Sequence, residues 1–129
     1  MIEQYIYNLI SADATLTSLL TENTELRLYP EVVPSGIEFN TAVTFTLITT
    51  SDTFPTIQSR NVQFNIFTRT HTIGAQIADA LADLFNEDHL KTSGGIGVVY
   101  SQRVSESGLG YDYDDKHYHR EATYTFKIK

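Results

Sequence analysis

The chain has 129 residues, a length typical of one domain with a hydrophobic core of its own. It contains no cysteine, which excludes disulfide bonds and thiolate chemistry. Nine Lys and Arg residues against sixteen Asp and Glu residues give a net charge of -7, which disfavours sustained binding to nucleic-acid phosphates or to an anionic membrane. We therefore expect a single domain, residues 1–129, that neither binds DNA specifically nor attaches to a membrane.

The N-terminal segment predicts two consecutive helices. Residues 1–4 lack the basic flank of a secretion signal, and no apolar run is long enough to span a bilayer, so we expect the protein to remain in the cytosol where it is made. Ser11 or Asp13 can cap the second helix. The apolar residues that follow the helical period in the first helix are Ile2, Ile6, Leu9 and Ile10.

The middle of the chain predicts two strands followed by a helix. Polar and apolar residues alternate over residues 42–50 and 61–69, which indicates an antiparallel pair joined by a ten-residue loop, 51–60. After residue 70 the apolar period changes from 2 to about 3.6, so an amphipathic helix is expected over about residues 73–86. A strand therefore leads directly into a helix at this point.

The C-terminal part predicts two more strands, at residues 96–105 and 122–129, separated by a turn-rich loop at 108–115. The resulting order is α-β-β-α-β-β. We expect an α+β fold, a two-layer sandwich in which helices cover one face of a four-stranded mixed sheet. The residues predicted to share the buried face are Val43, Phe45, Leu47, Val62, Phe64, Ile66, Tyr124, Phe126 and Ile128, covered by Ile6, Leu9, Ile77, Leu81 and Phe85.

Motifs for catalysis or cofactor binding are weak in this sequence. His117 and His119 are spaced so that both imidazoles share one strand face, but two imidazoles fall short of a closed metal site. Residues 94–97 are rich in glycine, yet they follow a helix and open a strand, the reverse of the dinucleotide-binding order. We expect no metal, no cofactor and no catalytic residues; a small metal-dependent enzyme built on the two histidines is the least favoured alternative.

Several large apolar residues occupy positions where polar side chains are expected. Three fall in the predicted loop 51–60, two fall in the loop 108–115, and two have the strand parity opposite to the core face. Apolar groups gathered in this way are typical of a surface that binds a partner. These interface candidates are Phe54, Pro55, Ile57, Tyr111, Tyr113, Ile48 and Phe67.

The order of motifs resembles the tail-completion (tail-terminator) proteins of long-tailed bacteriophages. Residues 6–20 look like the opening helix of that family with its Ala-Asp-Ala-x-Leu continuation, and Arg27-Leu-Tyr-Pro30 followed by Pro34 resembles its next segment. Residues 61–69 and 77–81 look like its strand and alanine-rich helix, and residues 124–128 resemble its closing strand. The family usually has a proline at the entry to the first strand, and residues 39–43 have none.

The resemblance implies a structural role in a virion. Such a protein forms a ring, commonly a hexamer, at the head-proximal end of the tail tube, where it stops tube polymerisation and joins the tail to the head connector. Its implied partners are copies of itself, the tube protein and a connector or head-completion protein, and DNA passes through the ring without specific binding. Another small neck or minor tail assembly subunit is the alternative function.

Overall fold

A computed structural model of the chain describes residues 2–53, 57–86, 88–93 and 96–128. Within these ranges it contains three helices and eight strands. The helices are α1 (Ile2–Ala12), α2 (Ala14–Leu20) and α3 (His71–Phe85). The strands are β1 (Thr21–Glu22), β2 (Glu25–Leu26), β3 (Leu28–Pro30), β4 (Thr41–Thr53), β5 (Ile57–Thr68), β6 (Asp88–Ser93), β7 (Ile96–Asp112) and β8 (His117–Ile128).

The main sheet has six strands in the order β3-β4-β5-β8-β7-β6, and β1 and β2 form a separate antiparallel pair. Only β3 and β4 run parallel, so the sheet is mixed and the α+β class is confirmed. The prediction of a four-stranded, two-layer sandwich was wrong, because two edge strands were missed and the larger sheet is curled. β3 is only three residues long and ends in Pro30, which an edge strand tolerates because no neighbour needs its missing N–H.

The two hairpins are longer than predicted. β4 continues to Thr53 and β5 begins at Ile57, so most of the predicted loop 51–60 is strand. β7 continues to Asp112 and β8 begins at His117, which replaces the predicted loop 108–115 with a strand and a turn at 113–116. The register places the ends of these two hairpins at opposite ends of the sheet. Backbone hydrogen bonds between strands do not require polar and apolar side chains to alternate. The alternation pattern therefore underestimated the length of both hairpins.

The core lies between the helices and one face of the sheet, as predicted. Phe64 is at its centre, with an exposed fraction of 0 % and its ring centroid 5.6 Å from that of Tyr124 and 5.8 Å from that of Phe85. All other residues of the predicted core are buried except Leu9 and Leu47, which are partly buried and pack against it. The strand register was therefore predicted correctly.

Two local features fix the N-terminal half. The Asp13 carboxylate accepts hydrogen bonds from the backbone N–H groups of Thr15 (2.9 Å) and Leu16 (3.2 Å), so Asp13 is the cap of α2. Arg27 is only 5 % exposed, and its guanidinium donates to the Glu25 carboxylate at 2.7 Å and to the Tyr29 hydroxyl at 3.1 Å. The hydrogen bond with Tyr29, together with nearby carboxylates, raises the pKa of Arg27. The buried cation thus anchors the start of β3.

Candidate functional site

The sheet face turned away from the helices carries a row of uncharged polar side chains. β5 contributes Asn61, Gln63 and Asn65, and its register places Thr123 and Thr125 of β8 beside them. The Thr125 hydroxyl donates a hydrogen bond to Asn61 Oδ1 at 2.6 Å. These side chains are partly buried rather than fully exposed. Such a surface is hydrated but carries little fixed charge at its centre.

Charged residues of opposite sign lie on the same face of β8. Glu121 pairs with Asn65 in the register, and Lys127 Nζ donates to the Ser59 hydroxyl at 2.6 Å. Because one carboxylate and one ammonium offset each other, this face has no strong net attraction for a polyanion.

Segment 31–39, which connects β3 to β4, crosses one end of this face and encloses a groove of about 650 Å³. Phe39 in the segment stacks on the His117 imidazole, with ring centroids 4.6 Å apart and planes 3° apart. The start of the segment is held by the Glu31 backbone N–H, which donates to the Phe45 carbonyl at 3.0 Å. Its far end is followed by Asn40, whose backbone and side-chain N–H groups both donate to the Glu22 carboxylate.

The two histidines considered as metal ligands lie in separate aromatic contacts. The His119 ring stacks on Phe67 at 4.6 Å, and its Nε2 lies 2.9 Å from Asn65 Oδ1. Burial lowers the pKa of His119, so the neutral imidazole is favoured. His117 Nε2 is buried and has no hydrogen-bond partner among the described residues. No group of three or more His, Asp or Glu side chains in those residues is arranged to hold a metal ion.

The predicted interface residues divide between the two ends of the sheet. Phe54 and Pro55 lie outside the described residues, as does the side chain of Ile57, although the backbone of Ile57 begins β5. Ile48 is 48 % exposed and lies where the register between β4 and β5 shifts by one residue. Its strand parity places this apolar side chain on the face opposite the core, and the register shift lies at the same point.

At the other end, aromatic rings gather on the β7–β8 hairpin. Tyr113 is 84 % exposed and Tyr111 is 38 % exposed, with their ring centroids 5.1 Å apart. Tyr111 also contacts Tyr118, its register partner on β8, at 4.9 Å. Tyr118 was not singled out in the sequence, because the contact depends on a cross-strand register rather than on spacing. Phe67, by contrast, is partly buried by its stacking on His119.

Sequence reasoning also missed segment 31–39, although its residues Pro34 and Gly36 are typical of a turn. The available signal was a set of apolar residues, Val33, Ile37 and Phe39, which are partly buried in a connection that is otherwise exposed. Within the described residues, no helix is long and apolar enough to cross a membrane. The geometry therefore presents a polar sheet face, a groove at its edge and two projecting hairpins, an arrangement suited to contacts with other macromolecules.

Comparison with known proteins gives a likeness in fold but none in sequence. No family model matches the sequence, and no curated protein sequence matches it. Among solved structures, the fold is similar to that of a chain in the virion of a native gene transfer agent particle, with a TM-score of 0.71. The superposition covers 95 % of this chain and 90 % of that chain, at 16 % sequence identity. At this identity the likeness establishes a shared fold.

Proposed function

We propose that this chain is a non-enzymatic structural protein of a phage-like virion. The observation that carries the proposal is the fold shared over 95 % of the chain with a component of a virion particle. Because a fold alone does not fix a function, the proposal also relies on what the described surface offers. That surface has projecting hairpins and a polar sheet face, which suit assembly contacts.

Within the virion, we infer that the protein is a tail-completion subunit. It forms a ring, most simply a hexamer, that caps the head-proximal end of the tail tube and joins it to the head connector. The sequence resemblance supports this position, and so does the placement of the two hairpin ends at opposite ends of the sheet. A subunit between two different neighbours needs two separate contact surfaces, and each hairpin end offers one.

The ring requires heterologous contacts between copies, since each subunit must present two different patches around a cyclic axis. DNA would pass through its centre. The polar, weakly charged sheet face is the surface best suited to such a passage, because an array of Lys and Arg would bind the phosphates and slow the DNA. The net charge of -7 is compatible with a path that does not retain DNA.

Contacts with the tube are proposed for the β4–β5 hairpin end. In the sequence, Phe54 and Pro55 follow β4, which ends at Thr53, and Ile57 is the first residue of β5. A cap must bind the last tube ring more tightly than another tube subunit does, so a few apolar anchors should carry most of the binding free energy. Ile48 and Phe67 are further candidates for contacts between copies.

The test is tail length in particles made with a Phe54→Ala, Ile57→Ala double variant. We expect over-long tails, or tails that do not join heads, while the purified variant remains folded by circular dichroism. The matched control is Val32→Ala, which removes a 65 % exposed apolar side chain from segment 31–39 and should leave tails normal.

Normal tails and normal infectivity from the folded double variant would remove these residues from the tube interface. Normal tails from a complete deletion would contradict the tail-completion role. Deletion that stops head–tail joining without changing tail length would instead favour the alternative, another small neck subunit. Stoichiometric transition metal that survives dialysis, and is lost in a His119→Ala variant, would favour the metal-dependent enzyme.

A further inference from the structure

The β7–β8 hairpin ends in an ordered group of tyrosines, here called the tyrosine tip (Tyr111, Tyr113 and Tyr118). Edge-to-face contacts connect Tyr113 to Tyr111 (5.1 Å) and Tyr111 to Tyr118 (4.9 Å). Tyr118 in turn contacts the imidazole of His71, the first residue of α3, at 5.8 Å. The series thus runs from the body of the domain to its outermost ring. Tyr113 is the most exposed of the three, with 84 % of its surface accessible.

The turn that contains Tyr113 is fixed by hydrogen bonds that its backbone N–H groups donate to Asp112. Asp112 Oδ1 accepts from the N–H groups of Asp114 (2.9 Å) and Asp115 (3.2 Å), and the Asp112 carbonyl accepts from the Lys116 N–H at 2.7 Å. Lys116 completes the turn with a φ of 60°. A ring held in place before it meets its partner loses little conformational entropy on binding, and tyrosine has few rotatable bonds to order. The tyrosine tip is therefore ordered before binding, as an anchor residue in an interface is expected to be.

We propose that the tyrosine tip docks into an apolar pocket with a basic rim on a different virion protein. This inference rests on the proposed function and specifies the chemistry of one of its partners. The ring of Tyr113 would enter the pocket, and the carboxylates of Asp114 and Asp115 would meet Lys or Arg side chains around it. Tyrosine is one of the residue types in which binding hot spots are enriched.

Charge argues against a second copy of this chain as the occupant. Two grooves on a second copy are the candidate sites for a tyrosine ring, with volumes of about 650 and 560 Å³. The groove under segment 31–39 is bordered by three carboxylates (Glu31, Glu38 and Asp115) against one guanidinium (Arg69). The groove of about 560 Å³ between α2 and α3 is bordered by Asp79 and Asp83. Insertion of an Asp-rich turn into either would bring carboxylates together. The same carboxylates disfavour DNA as the partner.

The test places a photo-crosslinker in assembled particles, as Tyr113→p-benzoylphenylalanine. We expect a covalent adduct with a different virion protein, in a peptide that mass spectrometry shows to lie beside Lys or Arg residues. The matched control places the same group at Val104, which is 62 % exposed on the same hairpin but away from the tip. No adduct to that peptide is expected from position 104.

Adducts from position 113 only to a second copy, only to DNA, or to nothing would overturn the proposal. An adduct from position 104 to the same peptide would also overturn it, because the strand rather than the tip would then be the contact. With the purified partner, Tyr113→Ala should weaken binding at least tenfold and Tyr113→Phe by much less. Asp114→Asn should reduce the salt dependence of binding.

This outcome can be separated from that of the proposed function. If deletion gives over-long tails but position 113 crosslinks only to another copy, the tail-completion role stands and the docking proposal fails. If the chain is absent from purified particles, the proposed function fails and the docking proposal fails with it.

Discussion

Phe64 gives the most demanding test of the fold, since its ring occupies the centre of the core. It is 0 % exposed, and its ring centroid lies 5.6, 5.8 and 6.4 Å from those of Tyr124, Phe85 and Phe45. A Phe-to-Ala change in a core costs about 3–5 kcal/mol, because the transfer free energy of the ring is lost and a cavity remains. Three neighbouring rings limit collapse of that cavity, so we expect Phe64→Ala to cost about 4–5 kcal/mol.

Such a loss is a large share of the total, since domains of this size have an unfolding free energy of about 5–15 kcal/mol. The assay is urea unfolding followed by far-UV circular dichroism, with the free energy extrapolated to water. Phe67→Ala is the matched control on the same strand. Phe67 faces the opposite side of the sheet, is partly buried and stacks on His119, so its loss should cost only about 1–2 kcal/mol. Equal costs for the two variants would refute the assignment of faces.

Three further predictions concern single groups. Asp13→Ala should lower the unfolding free energy by about 1 kcal/mol through loss of the α2 cap, measured against Ser11→Ala, which removes no cap. Burial lowers the pKa of His119 below its usual value of 6.5, so near that pH the unfolded state binds more protons than the folded state. The unfolding free energy should therefore fall as the pH drops through 6.5. His119→Gln should reduce this dependence of the unfolding free energy on pH. Burial raises the pKa of Tyr124 to about 12, so stability should fall as pH rises above 10. Tyr124→Phe should remove that loss and, at neutral pH, stabilise by about 1 kcal/mol, because the buried hydroxyl has no hydrogen-bond partner among the described residues; destabilisation at neutral pH would contradict this.

The central strands were predictable because their burial imposes a pattern. Val62 and Ile66 must be apolar on either side of Phe64, and the residues between them face the opposite side, so alternation shows both the strand and its register. β3 was not predictable in this way, since three residues ending in Pro30 are too few to show a period. Its pairing depends on where segment 31–39 returns the chain, which is a tertiary property.

The candidate surfaces were predicted only in part. Exposed apolar residues such as Ile48 and Tyr113 could be recognised from their positions, and the structure finds both exposed. The register shift beside Ile48 could not be predicted, because it requires knowledge of two strands at once. The support that Tyr118 gives to the tyrosine tip is likewise a cross-strand contact between residues on opposite sides of a turn.

The position of β8 in the middle of the sheet has a consequence for how the protein reaches its native state. In the pairing of β5 with β8, Gln58 lies opposite Ile128 at one end and Thr68 lies opposite Tyr118 at the other. The paired residues are therefore 50 to 70 positions apart in the chain. While a ribosome is still adding residues 88–128, β5 has no neighbour on that side, and its open backbone edge is available to other nascent chains. Long-range pairing of this kind slows folding and prolongs exposure to aggregation. A chain that stops after Asp112 should therefore bind chaperones and precipitate, whereas a soluble, folded product from that truncation would contradict this view. Synthesis of β8 would then be the step that completes the sheet and allows the chain to reach a soluble, folded form.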